Sequence, residues 1–120
     1  MATVYTSAGE AYTADIFDET TTPATDYYIA WGTGAGTAAK SDTTLFTEAA
    51  EARKVGTATQ PAADTNQWTG TMTSTSTQTI TNAGLFTALT GATLVVKGDF
   101  AGVALNSGDK IKFTVQLQWS

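Results

Sequence analysis

Three groups of residues in this 120-residue chain combine the types and spacing that chemistry uses. Gly34-Ala35-Gly36-Thr37-Ala38-Ala39-Lys40-Ser41 is one residue short of the G-x-x-x-x-G-K-S/T loop that wraps phosphates in backbone N–H groups, with Ala39 in place of the second glycine. Such a loop needs a helix behind it, N-terminus toward the anion, and acidic support for Mg²⁺. Asp42-Thr43-Thr44 follows with neither, so the stretch reads as a surface loop. The acid sets Asp15/Asp18/Glu19 and Glu48/Glu51 have the residue type for glycoside hydrolysis, which takes two carboxylates in a cleft, one in apolar surroundings that raise its pKa. The first set lies in a polar segment. The second precedes Arg53 and Lys54, where ion pairs on a helix face or between subunits are the ordinary use. Trp31, Trp68 and Trp119 have rings that stack on sugars or bases, but each occupies an apolar strand position, and at least two of them are assigned to core packing.

The chain contains no histidine and no cysteine. It therefore cannot assemble a thiolate or imidazole zinc site, a His-activated nucleophile or a His proton shuttle, and it carries no D-x-D-x-D-G calcium loop. The expectation is a protein that is not an enzyme and takes no cofactor or metal. Eleven acids against six bases give a net charge of −5, which argues against a nucleic-acid surface. The charge is uneven: through Ala52 eight acids stand against Lys40, a net −7, while from Arg53 onward five bases against three acids give +2. That asymmetry suits a solvated acidic segment, or an acidic arm docking on a basic surface of its own domain or of a partner. No stretch reaches the roughly 18 consecutive apolar residues of a membrane span. The opening Met1-Ala2-Thr3-Val4-Tyr5-Thr6-Ser7 lacks the basic and apolar regions of a secretory signal.

These residues need elements to hold them. Residues 1–25 show no sustained period and end in Thr20-Thr21-Thr22-Pro23, so they read as an extended N-terminal arm whose apolar anchors are Tyr5, Tyr12, Ile16 and Phe17. Residues 26–120 form the domain. Tyr27-Tyr28-Ile29-Ala30-Trp31 is its first strand, and the Ala/Glu-rich run within residues 43–54 is the one place where helix propensity dominates. From Thr69 to Thr81 threonine occupies every second position, a strand face interrupted at its polar middle. A strand over Thr93–Lys97, punctuation at Gly98-Asp99, and a final hairpin pairing Val103-Ala104-Leu105 with Lys110–Trp119 complete the reading. In that last strand Ile111, Phe113, Val115, Leu117 and Trp119 share one face. The fold class is all-β: one antiparallel β-sandwich, jelly-roll-like, with at most one short helix.

Five phrases occur in a characteristic order: Tyr28-Ile29-Ala30-Trp31-Gly32-Thr33-Gly34; Thr44-Leu45-Phe46-Thr47-Glu48 leading to Arg53; Asn82-Ala83-Gly84-Leu85-Phe86; Gly91-Ala92-Thr93-Leu94-Val95-Val96; and Ser107-Gly108-Asp109-Lys110-Ile111. The order resembles small virion structural proteins of tailed bacteriophages, and in size and character it is most similar to capsid decoration, or cement, proteins. The resemblance implies no catalytic residue. It implies a homotrimer, made in the host cytoplasm and carried on the capsid exterior, whose partner is the major capsid protein of the same virion. Tyr5, Tyr12, Ile16 and Phe17 of the arm, with Glu48 and Arg53, are the residues expected to meet partners. A tail, baseplate or fibre-attachment protein is the alternative, and a glycan- or receptor-binding module resting on Trp68 and the threonine row is the third reading.

Overall fold

The computed structural model describes residues 2–119. Met1 and Ser120, the outer limits of the expected arm and domain, lie outside the described residues. Two antiparallel sheets form the molecule. One has five strands in the spatial order β1 (Thr3–Tyr5), β7 (Leu94–Leu105), β6 (Gln78–Phe86), β2 (Tyr28–Gly32) and β3 (Lys54–Val55). The other has three, in the order β4 (Thr57–Ala62), β5 (Thr65–Thr73) and β8 (Lys110–Gln118). The all-β class with one short helix, α1 (Ser7–Phe17), is what the chain adopts.

Period-two alternation, offset where the β6–β7 register shifts, sets the packing. Ile29 and Trp31 of β2, Ile80, Ala83 and Leu85 of β6, and Val95, Val96 and Leu105 of β7 meet Trp68 and Met72 of β5 in one core. Full burial of side chains this size stabilises the fold by about 1.5–3 kcal/mol each. Across the sandwich, Trp31 meets Phe113 edge-on at 6.2 Å between ring centroids. Two of the three tryptophans, Trp31 and Trp68, are buried as expected, while Trp119 is 40% exposed.

Four local expectations are corrected. Residues 3–17 are not an extended arm: β1 pairs with β7, and α1 follows at once. The Ala/Glu-rich run forms no helix; its segment lies along the edge of β2, bridging Gly32 through Glu48 and ending in β3. The expected punctuation at Gly98-Asp99 falls inside β7, which runs unbroken while its register against β6 shifts between Ile80↔Val103 and Asn82↔Asp99. Finally, β7 and β8 do not form a hairpin. The turn at residues 106–109 carries the chain from the five-stranded sheet to the three-stranded one, where β8 pairs with β5 over all nine residues. The break in the threonine row is real and falls at residues 74–77, and it too crosses between sheets. The two crossings are tied together by the Ser74 N–H, which donates to Asp109 O at 2.7 Å, and the Gly108 N–H, which donates to Ser74 O at 2.7 Å.

Helix α1 has a face at positions 9, 12, 13 and 16, but two of those residues are glycine and threonine. Thr6 caps it: its Oγ1 accepts from the Gly9 N–H at 2.9 Å and its own hydroxyl donates to Leu94 O, so one buried side chain both starts the helix and fixes it to β7. Gly9 permits the contact. A Cβ there would stand 2.7 Å from Val95 O and 2.9 Å from Val95 Cα.

Candidate interaction surface

Four of the five phrases that carry the resemblance, those within residues 28–96, converge on one place. Beyond Gly32 the chain continues beside the segment around Phe46: the Thr33 N–H donates to Thr47 O at 3.0 Å and the Gly34 N–H to Phe46 O at 2.9 Å. A side chain at Gly32 would put its Cβ 2.5 Å from Phe46 O, which accounts for glycine there. Asn82, fully buried, completes the dock with its amide, accepting from the Phe46 N–H and donating to Phe46 O, each at 3.0 Å. Arg53 grips Glu48 in a two-pronged pair at 2.9 and 3.0 Å and donates to Ala88 O and Gly91 O. Its guanidinium lies 3.6 Å from the centroid of the Phe86 ring. With the Arg53 side chain only 8% exposed, Glu48 and Arg53 act first inside their own chain, holding the β2-edge segment against the 87–93 turn.

Two further charges serve this dock, and alternation in the sequence singled out neither. Lys97 is 1% exposed; its ammonium donates to Asp42 Oδ2 at 3.0 Å and Thr44 O at 2.8 Å and lies 3.2 Å from the Phe46 ring centroid. The Asp42 carboxyl is held below the usual carboxylate range, first by the Ala39 N–H and then by Lys97. Glu51, read from sequence as a solvated or ion-paired acid, accepts instead from Trp31 Nε1, the N–H and hydroxyl of Thr75, and Gln78 Nε2. Burial works to raise its pKa, but the Thr75 and Trp31 hydrogen bonds outweigh that and lower it to about 2. The phosphate-loop look-alike is packed down too: Ala38 is buried, its N–H donates to Asp99, and Lys40 pairs with Glu10 at 2.9 Å.

The four N-terminal anchors gather on α1 and β1, away from Glu48 and Arg53. Tyr12, Thr13 and Ile16 line a groove of about 240 Å³ with Tyr27, Trp68 and Leu117. The Tyr12 and Tyr27 hydroxyls are 3.0 Å apart, and burial, then that bond, pushes the Tyr27 phenol above its ordinary range. Tyr5 stands edge-on to Trp119 at 5.7 Å. Phe17 differs from the other three. It is 83% exposed at the end of α1, between Asp15 and Asp18-Glu19.

One side of the sandwich is closed where the chain passes at Gly56 from β3 into β4. The opposite side is bounded by β1 and β8, which meet at one end through Tyr5 and Trp119 and leave a gap beside it. A cleft of about 160 Å³ lies there, walled by Thr3, Val96 and Gly98 on one side and by Phe113, Val115 and Gln116 on the other. Apolar Ile111, Phe113, Val115 and Leu117 are consequently only partly covered. Among the described residues no helix is long and apolar enough to cross a membrane, and no cluster of acids could hold a metal ion.

No protein-family model matches the chain, and no curated protein matches it.

Proposed function

We propose that this protein is a bacteriophage virion structural protein of the capsid decoration kind, which binds the outer surface of the assembled capsid and stabilises it by contact rather than catalysis. The observation that supports the reading is a convergence in space. Phrases scattered over residues 28–96 stand out in the sequence only by their order, and they meet around Phe46, Glu48, Arg53 and Asn82 as one structural unit. That these phrases serve one framework unit is what supports reading their order as a family resemblance. The partners are the major capsid protein of the same virion and other copies of this chain. A ligand that binds only the assembled shell shifts its stability by mass action, and many weak contacts on one particle multiply.

Phe17 is the N-terminal anchor available for such a contact, an aromatic ring held in solvent by a capped helix. Phe17→Asp is expected to reduce occupancy on undecorated capsids at least tenfold while leaving thermal unfolding within a degree or two, because the ring touches little of its own domain. Unchanged occupancy would remove Phe17 from the contact. Locating the chain in a cryo-electron-microscopy map of the native particle tests the wider reading: hundreds of copies on the shell support it, and a handful at the tail favour the tail or baseplate alternative.

A further inference from the structure

One edge of β8 has no partner strand among the described residues. All nine residues of β8 pair with β5 on one side, and among the described residues nothing pairs on the other. At the two ends of the ladder, Asp109 O accepts from Ser74 and the Trp119 N–H donates to Asp64. Odd-numbered residues therefore hold the bonded positions toward β5, and the N–H and C=O of Lys110, Lys112, Thr114, Gln116 and Gln118 point outward to the free edge. These five are also the exposed ones, whereas the four odd apolar residues are half-covered.

We infer that this edge docks against the same edge of a second copy, antiparallel, about a two-fold axis through Thr114. Only registers that place even residues opposite even residues satisfy the outward groups, and only the one centred on Thr114 pairs all nine residues. In it Lys110 faces Gln118 of the second copy, Lys112 faces Gln116, and Thr114 faces itself. Like charges directly opposite destabilise a strand pair, and this register has none, whereas centring on Lys112 would set two lysines face to face. On the inner face Ile111 meets Leu117 and Phe113 meets Val115, so the partly covered apolar row continues across the junction. The 160 Å³ cleft lies beside residues 113–116, where the axis passes, and the incoming strand would cover it. Lys110 and Lys112, which belong to no side-chain ion pair among the described residues, keep a blunting charge at one end of the edge without blocking the symmetric pairing. The result is a six-stranded sheet shared by two copies through an isologous contact. Such a contact cannot close a trimer, so the three-fold association implied by the resemblance belongs to another surface.

The test is the concentration dependence of mass for the full chain by sedimentation, with two charge changes at one exposed position. Gln116→Glu sets a carboxylate opposite Lys112 of the other copy and is expected to tighten the two-fold step several-fold. Gln116→Lys sets two ammonium groups together and is expected to loosen it at least tenfold, less so at high salt. Both variants should unfold at nearly the wild-type temperature, since Gln116 is on the solvent face. A wild-type chain that stays monomeric near 100 μM, or variants that move association in the same direction or not at all, overturns the inference.

Discussion

Glu51 shows how one side chain can hold two parts of a fold. One carboxylate oxygen takes the Trp31 indole and the other takes Thr75 and Gln78, so the β2-edge segment is tied to the turn that leaves the three-stranded sheet. A glutamine has one acceptor oxygen and would turn its NH₂ toward either the indole or the Thr75 N–H, leaving donor against donor. Because folding lowers this carboxyl from its ordinary 4.5 to about 2, its contribution is fully present above pH 5 and is lost as pH falls through the window between those values. Glu51→Gln is therefore expected to cost on the order of 2 kcal/mol at pH 7, with allowance for partial exposure, and less as the pH approaches 3. Urea midpoints of both proteins at pH 7 and pH 3 measure it, and a gap that does not narrow in acid would assign the loss to shape rather than charge. Nothing in the sequence marked Glu51 as different from Glu48. Each sits in the same Ala/Glu run, and only the tertiary turn at residues 74–77 separates their roles. Lys97 was equally hidden, a lysine at the end of an apolar strand that would ordinarily reach solvent.

At the level of elements, strands were legible wherever one face is apolar and the other polar, as in β8, or where a short run is wholly apolar, as at the buried start of β7; the middle of β7, residues 98–102, half-buried to exposed and opened by Gly98-Asp99, was not. Helix α1 escaped for a specific reason. Its inward positions follow helical spacing, but Gly9 and Thr13 stand where apolar residues would reveal it: at Gly9 the backbone of α1 approaches β7 too closely for a side chain, and Thr13 turns its hydroxyl back to Gly9 O. Conversely, the run at residues 47–53 has helix-forming composition, yet edge pairing with β2 and the Arg53 grip decide its shape. Gly9→Ala separates these influences. Intrinsic preference favours alanine in a helix by about 1 kcal/mol, but the added Cβ would stand 2.7 Å from backbone that cannot yield. The substitution is expected to destabilise by about 1–3 kcal/mol, as overpacking does, and to speed amide exchange across residues 7–17. A rise in melting temperature would show that α1 rests on β7 only loosely.

For the whole molecule, the sandwich class was readable from the number and spacing of strands, but which strand pairs with which was not. A turn with hairpin chemistry at residues 106–109 instead joins two sheets, and local sequence cannot distinguish a hairpin from an arch when both use Asn, Gly and Asp. The outcome is a fold whose halves are completed by distant partners: β1 by β7, β2 by β6, β5 by β8. Truncation after Asp109 removes only β8 and the C-terminal Trp119-Ser120, yet it strips β5 of its longest ladder and uncovers Trp68 and Met72. The truncated chain is expected to lose its cooperative urea transition and near-ultraviolet signal, and a sharp transition would mean that the five-stranded sheet folds alone.

The β5–β8 pairing also governs the order in which this protein becomes soluble. Residues 65–73 leave the ribosome with one edge vacant, and at about 5–20 residues per second their partner emerges on the order of a few seconds later. Throughout that interval the growing polypeptide carries an unsatisfied, threonine-rich strand, which other nascent chains can template upon. Expression at lower temperature, or with a holdase in excess, should therefore raise the soluble yield more than any surface substitution does.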